Sequence, residues 1–214
     1  MSNPMLSKYF DYAKMTATSS GLPNLPPADV MGNLKKLAQT LDVLYDRIGP
    51  FRIISAFRSQ DLQDLLRTQT NQAVARSGHT GGMAADIQPI NGDLKAYMAK
   101  AYSDPVIRNL FGGFAMKNNT LHVELPMPEK NKATLIPMYV AASGEYMRFS
   151  PAQLNQILSD YASEIQAHLN RMAKQVQKSA EEAVQVVSEN PIKSGLIGAS
   201  LVGLVAFFIL RGKK

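Results

Sequence analysis

The hydrophobic positions along the chain first adopt a helical spacing after residue 29. Apolar side chains recur every three or four residues, at Val30, Leu34, Leu37, Leu41, Leu44 and Ile48. This spacing predicts a helix with one buried face. Asp29 stands just before the stretch and is expected to cap the helix, because its carboxylate can accept from free backbone N–H groups. Pro23, Pro26 and Pro27 predict a loop ahead of it.

The following segments predict a mixture of short strands and helices. Alternating or continuous apolar runs predict strands over residues 51–57 and 84–87, and helical spacing predicts helices over residues 60–67 and 94–102. A hairpin is expected from residues 114–116 and 120–125, with its turn at residues 117–119. Residues 1–150 are therefore predicted to form an α+β domain with a small antiparallel sheet.

A long helix is predicted next, over residues 151–190. Its apolar residues form three rows with eleven-residue steps: Leu154, Ile165, Val176 and Val187; Leu158, Leu169 and Ala180; Tyr161, Met172 and Ala183. Eleven residues correspond to about 3.67 per turn, so the apolar stripe stays nearly straight along the helix. Two interpretations remain open: the helix folds back on the α+β domain, or it is a stalk that associates with a second copy.

The carboxyl-terminal segment, residues 191–214, has the composition of a membrane anchor. Residues 195–210 carry no charge, Lys193 precedes them, and Arg211, Lys213 and Lys214 follow. A spanning helix needs about 17–25 mainly apolar residues, which this segment reaches if the flanking cations extend to the lipid surface. We expect a transmembrane helix here. Residues 1–10 lack a basic region followed by an apolar core, so no signal peptide is expected.

The composition narrows the chemistry that the domain can perform. The sequence contains no cysteine, which excludes thiol nucleophiles, disulfides and thiolate metal sites. A formal net charge of +6, without a long basic run, makes nucleic acid an unexpected partner. The positive charge is compatible with anionic cell-wall polymer or lipid. A zinc site would have to use His, Asp and Glu, and there are three histidines.

Two of these histidines lie in segments suited to metal binding. His79, Asp86 and His122 supply two imidazoles and a carboxylate, a set that can hold Zn²⁺ with one position open to water. Glu124 lies two residues after His122, so on a strand both face the same side. His168 lies within the predicted long helix, apart from both segments, and is not expected to be a ligand.

The residues around His79 also resemble a known family motif. The pattern Ser-x-His-x-x-Gly-x-Ala-x-Asp is met at Ser77, His79, Gly82, Ala84 and Asp86. It is the signature of the zinc D-alanyl-D-alanine carboxypeptidases and endopeptidases, whose relatives include VanX-type dipeptidases and the Hedgehog domain. Residues 55–59 and 121–124 resemble two further segments of that family. The resemblance covers about residues 5–125 and implies a Hedgehog/D,D-peptidase-like fold.

The resemblance implies roles for individual residues. His79, Asp86 and His122 would hold Zn²⁺. Arg58 would stabilise the oxyanion or bind a substrate carboxylate, and Ser77 would contact the substrate or the loop that carries His79. Several family branches carry the catalytic acid or histidine three residues before the last ligand, where this chain has Asn119. Either Glu124 replaces it as general base, which we favour, or the site binds metal and peptide with weak turnover.

These expectations combine into two functional hypotheses. The favoured one is a membrane-anchored zinc peptidase that cleaves peptidoglycan stem peptides or crosslinks, held on the internal membrane of a bacteriophage virion and used in host entry. The bacterial inner membrane is the alternative location. The tail from about residue 187 weakly resembles small ribosome-associated inner-membrane proteins. From this likeness we take the membrane anchor and not the association with ribosomes. The rival hypothesis is a non-catalytic, zinc-containing wall-binding or structural membrane protein.

Overall fold

The helices and strands are taken from a computed structural model that describes residues 3–70, 77–90, 93–127, 135–141 and 145–189. The helices in these residues are α1 (Tyr12–Thr16), α2 (Ala28–Ile48), α3 (Gln60–Thr70), α4 (Leu94–Ser103), α5 (Pro105–Leu110) and α6 (Pro151–Glu189). The strands are β1 (Phe51–Ser55), β2 (Ala84–Pro89), β3 (Gly113–Lys117), β4 (Thr120–Glu124), β5 (Ile136–Val140) and β6 (Tyr146–Arg148). The chain divides into two compact units, Met1–Tyr161 and Ala162–Lys214.

The strands form one six-stranded sheet in the order β1-β2-β4-β3-β5-β6. All neighbouring strands are antiparallel except β3 and β5, which are parallel. The α+β class is thus confirmed, but the expectation of a small antiparallel sheet is wrong. The sheet is larger and mixed, because β5 and β6 extend it beyond the predicted β3–β4 hairpin.

Helix α2 supplies much of the hydrophobic core of the first unit. Its predicted apolar face is confirmed, since Leu34, Leu37, Leu41 and Leu44 are fully buried. The predicted cap is wrong: the helix begins two residues earlier, with Pro27 at the cap position and no capping side chain. Asp29 lies inside the first turn instead, where its negative charge still interacts favourably with the helix dipole.

The central strands β2 and β4 have two faces of opposite character. Ile87, Leu121 and Val123 belong to the hydrophobic core, on the face that α4 contacts. Their neighbours in sequence, Asp86 and His122, point to the other face because side chains alternate along a strand. We call this second surface the site face. It is defined by Ala84, Asp86, Ala115, His122, Glu124 and Met138, which the strand register aligns.

The predicted long helix is confirmed as α6, Pro151–Glu189. Its first turns belong to the first unit, where Ile157 is buried in the core and Leu158 and Tyr161 pack against it. In the second unit, the apolar residues Ile165 and Leu169 are 42% and 52% exposed. Within the described residues, no helix is both long and apolar enough to cross a membrane. The predicted anchor, residues 191–214, lies outside the described residues.

Candidate metal site

Three buried side chains converge on the site face. His79 comes from the loop before β2, Asp86 from β2 and His122 from β4, where Asp86 and His122 are directly paired in the strand register. One ligand atom from each lies within 4.8 Å of the others, and all three residues are buried. The structure therefore brings together the three residues that the sequence nominated, in a cluster that can hold a metal ion.

The loop from Ser77 to Met83, which we call the ligand loop, places His79 over the sheet. Its turns are closed by backbone hydrogen bonds from the Gly82 amide to the His79 carbonyl at 3.1 Å and from the Met83 amide to the Gly78 carbonyl at 2.8 Å. Gly82 has a φ of +67°, and a Cβ there would lie 2.8 Å from Val30 of α2. Only glycine fits this position without strain, which accounts for one residue of the sequence motif.

His79 is held in a defined tautomer by the backbone. Its Nδ1 donates to the carbonyl oxygen of Ala56 at 2.6 Å, so Nε2 carries the lone pair and faces Asp86. Burial lowers the pKa of His79, although the nearby Asp86 carboxylate opposes this effect. A neutral imidazole fixed through its second nitrogen is the usual state of a histidine that binds a metal.

Asp86 uses its two carboxylate oxygens for different partners. Oδ1 lies 2.9 Å from Nδ1 of His122 and 3.4 Å from Nε2 of His79, whereas Oδ2 accepts from Nη2 of Arg58 at 2.5 Å. Burial by itself would raise the pKa of Asp86, but the charges and hydrogen bonds of His79 and His122 hold it well below its usual value. The carboxylate is therefore ionised at neutral pH.

Two of the distances between these atoms are compatible with ligands of one tetrahedral metal ion. Bonds of about 2.0–2.1 Å to nitrogen and oxygen place neighbouring ligand atoms about 3.3 Å apart in such a site. The separations of 2.9 and 3.4 Å around Asp86 Oδ1 bracket that value. The donor set of two imidazoles and one carboxylate leaves a fourth position for water or substrate.

Arg58 lies beside the cluster, and two of the five N–H groups of its guanidinium form hydrogen bonds there. Nε donates to the Ser55 hydroxyl at 2.9 Å, and Nη2 pairs with Asp86. Asn24, which the sequence interpretation missed, fixes this segment by donating to the Phe57 carbonyl and accepting from the Ser59 amide. In this arrangement Arg58 orients Asp86 and also lines the adjacent pocket, so its expected contact with substrate stays a prediction.

The predicted base also lies on the site face. Glu124 is 4% exposed and pairs with Ala84 in the strand register, and its carboxylate reaches the backbone of Gly78 in the ligand loop. Asn119 is exposed in the turn between β3 and β4. His168 is exposed on α6, in the second unit, and does not belong to the cluster.

Ser77 and Arg58 open onto a pocket next to the cluster. The pocket has a volume of about 480 Å³, and its walls include Phe57, Met83 and Met127. The Ser77 hydroxyl accepts from the His79 amide at 3.3 Å, so this residue supports the ligand loop and also faces the pocket. Polar groups beside apolar walls suit a peptide better than a purely charged ligand.

Tyr146 is the aromatic residue of the site that the sequence interpretation missed. Its ring meets the His122 ring edge-on, with 5.7 Å between the ring centroids. Burial of the phenol raises the pKa of Tyr146 to about 12, and the negative charges of Asp86 and Glu124 add to this effect. No local motif indicates Tyr146, because it reaches the cluster only through the non-local pairing of β3 with β5.

Comparisons with known proteins leave the family open. A scan against family models finds no match, and a search of curated proteins finds no relative. The resemblance of the ligand motif to zinc D,D-peptidases therefore stays a prediction, and the geometry of the cluster is the independent observation beside it.

Proposed function

We propose that this protein is a zinc-dependent peptidase that cleaves peptidoglycan stem peptides or crosslinks. The observation that carries the proposal is the buried cluster of His79, Asp86 and His122, whose ligand atoms lie within 4.8 Å of one another. Two imidazoles with one carboxylate favour Zn²⁺ over Mg²⁺ or Ca²⁺, which prefer sites made of oxygen ligands. The resemblance of the motif from Ser77 to Asp86 supports the same metal.

The proposed mechanism assigns a separate task to each residue around the cluster. His79, Asp86 and His122 would hold the zinc ion, which when bound would supply an activated water and polarise the scissile carbonyl. Glu124 accepts a proton from the attacking water on its carboxylate and delivers it to the leaving amide nitrogen. Arg58 orients Asp86 through a hydrogen bond to Oδ2, and Ser77 supports the loop that carries His79. The pocket beside them holds the peptide on one side of the scissile bond.

The proposed substrate and location follow from the resemblance and the terminal segment. Peptidoglycan stem peptides are the substrates of the family that the motif resembles. The uncharged residues 195–210, flanked by Lys and Arg, support attachment to a lipid membrane. We favour the internal membrane of a bacteriophage virion, where the enzyme would act during host entry, with the bacterial inner membrane as the alternative.

The pairing of Arg58 with Asp86 favours a second candidate. Arg58 donates to both Asp86 and Ser55, so its guanidinium takes part in a polar network beside the candidate ligands. Such a network also suits a zinc ion that only stabilises a wall-binding or structural membrane protein.

Hydrolysis of purified peptidoglycan separates the two candidates. Full-length protein in detergent is loaded with one equivalent of zinc and incubated with sacculi, and the released muropeptides are identified by mass spectrometry. The peptidase proposal expects new peptide termini that disappear with His122→Ala and persist with the exposed variant Lys178→Ala. Zinc bound at one equivalent without any new terminus, on sacculi of several peptide chemistries, would favour the non-catalytic candidate.

A further inference from the structure

Tyr146 lies on the site face although its strand is distant from β4 in the sheet order. Strand β6 is at the sheet edge, separated from β4 by β3 and β5. The ring of Tyr146 nevertheless meets His122, with centroids 5.7 Å apart and planes inclined by 67°. The side chain must therefore extend across the face of the sheet rather than outward from its edge.

The strand register explains how the ring crosses two strands. His122 is paired with Ala115, Ala115 with Met138, and Met138 with Arg148, which forms one row across the sheet. Tyr146 precedes Arg148 by two residues, so it faces the same side as this row. Ala115 presents only a methyl group, which leaves space for an aromatic side chain to approach His122.

The surroundings of Tyr146 combine solvent access with nearby charge. The residue is 46% exposed, whereas the three candidate ligands are buried. Its phenol interacts electrostatically with Asp86, Arg58 and Glu124, which come from three different segments. A molecule entering the site from solvent would therefore meet Tyr146 next to the candidate ligand His122.

A peptidase site gains from a hydrogen-bond donor that faces the reacting carbonyl from the side opposite the metal ligands. Negative charge develops on the carbonyl oxygen when water attacks an amide, and donors aimed at that oxygen stabilise the transition state. Arg58 donates to Asp86 and Ser55 in this structure. A neutral phenol can donate one hydrogen bond without competing for the Asp86 carboxylate.

We propose that Tyr146 is a catalytic residue whose hydroxyl donates a hydrogen bond to the oxygen that becomes negatively charged on the substrate. This assignment rests on the proposed peptidase function. No bond to Tyr146 forms or breaks, and its proton stays on the phenol. The hydrogen bond strengthens as charge develops on the oxygen, so it contributes more to the transition state than to substrate binding.

The first test compares Tyr146→Phe with Tyr139→Phe in the full-length, zinc-loaded protein. Tyr139 lies on β5 next to Met138, so it faces the opposite side of the sheet, and its ring packs against Phe149 at 5.1 Å. With purified muropeptides, Tyr146→Phe is expected to lower kcat about 10²- to 10³-fold with little change in KM. Tyr139→Phe is expected to retain wild-type kcat. Wild-type kcat in Tyr146→Phe would overturn the assignment.

A second test does not depend on turnover. Co²⁺ is bound in place of zinc, and inorganic phosphate is titrated while the visible spectrum of the metal is recorded. Phosphate on the metal presents a negatively charged oxygen, so Tyr146→Phe is expected to raise its Kd about tenfold, with Co²⁺ content unchanged. Equal phosphate Kd values in wild type and Tyr146→Phe would overturn the assignment. If Tyr146→Phe binds phosphate more weakly than wild type but wild type hydrolyses no muropeptide, Tyr146 keeps its role as a hydrogen-bond donor and the peptidase proposal is rejected.

Discussion

The core face and the site face of the sheet are built from the same strands but carry different properties. Along β4, Leu121 and Val123 are fully buried in the hydrophobic core, whereas His122 and Glu124 are buried on the site face with Asp86. Strand alternation separates these two sets although they are adjacent in sequence. The comparison teaches that residues one position apart here govern stability and chemistry separately, and that point substitutions can test each face.

The strongest test of this separation compares His122→Ala with Leu121→Ala. His122→Ala removes one of three candidate ligands, so bound zinc and hydrolysis should both fall below detection. Leu121→Ala should lower the free energy of unfolding by about 2–5 kcal/mol, because it leaves a cavity in the core. It should nevertheless retain one zinc per chain, measured by elemental analysis after dialysis. A folded Leu121→Ala protein without zinc would show that the faces are not separable.

The next test concerns the proposed base on the site face. Glu124→Gln removes the proton acceptor but keeps the shape of the side chain, so hydrolysis should fall about 10²- to 10⁴-fold while zinc stays bound. Glu164→Gln, at an exposed position of α6, is the matched control and should leave the rate unchanged. If Glu124→Gln cleaves muropeptides at the wild-type rate, the proton acceptor must be another group.

Two glycines of the ligand loop sharpen the comparison further. A Cβ at Gly78 would lie 2.6 Å from Oε1 of Glu124, whereas at Gly81 the nearest atom is 3.8 Å away. Gly78→Ala should therefore displace the Glu124 carboxylate and lower the rate about tenfold, an effect of about 1.4 kcal/mol on the barrier. Gly81→Ala should be close to wild type. Equal rates for the two variants would mean that the position of Glu124 is unimportant.

The smallest expected effect is the acid sensitivity of the metal-free protein. Burial lowers the pKa of His79, so the folded chain binds its proton less tightly than the unfolded chain does. Its contribution to stability is complete above the unfolded pKa of about 6.5 and is lost as the pH falls below that value. The pKa of Asp86 is also lowered, so its contribution is lost below about pH 3.9.

Urea titrations of the metal-free protein between pH 7.5 and 5 measure this effect. The slope expected for one proton is at most about 1.4 kcal/mol per pH unit. His79→Gln should flatten the slope, whereas Tyr139→Phe should leave it unchanged. A stability that does not decline between pH 6.5 and 5 would contradict a neutral, buried His79.

The sequence predicted the parts of the site that depend on local spacing. His79 and Asp86 are joined by a short glycine-containing loop, so their proximity follows from local spacing. His122 was chosen for its ligand chemistry and the motif, and it is brought to Asp86 by the pairing of β2 with β4. Glu124 was placed on the correct face by strand alternation alone. These predictions needed no knowledge of distant contacts.

The remaining features depend on contacts between distant segments. The parallel pairing of β3 with β5 brings Tyr146 to His122, and no short motif encodes it. The pairing of Arg58 with Asp86 joins residues 28 positions apart. Asp29 was misassigned as a cap because Pro27 begins the helix earlier than the apolar spacing indicates. The contacts of the predicted site residues therefore depend on the tertiary structure and could not be derived from local sequence.

Zinc-edge X-ray absorption of the full-length protein, loaded with one equivalent of zinc, tests the central claim most directly. The claim is that His79, Asp86 and His122 bind one metal ion on the site face. The expected spectrum shows four nitrogen or oxygen neighbours at about 2.0–2.1 Å, with the outer scattering of two imidazole rings. Scattering from six oxygens without imidazole would mean that zinc binds elsewhere, and it would contradict the account.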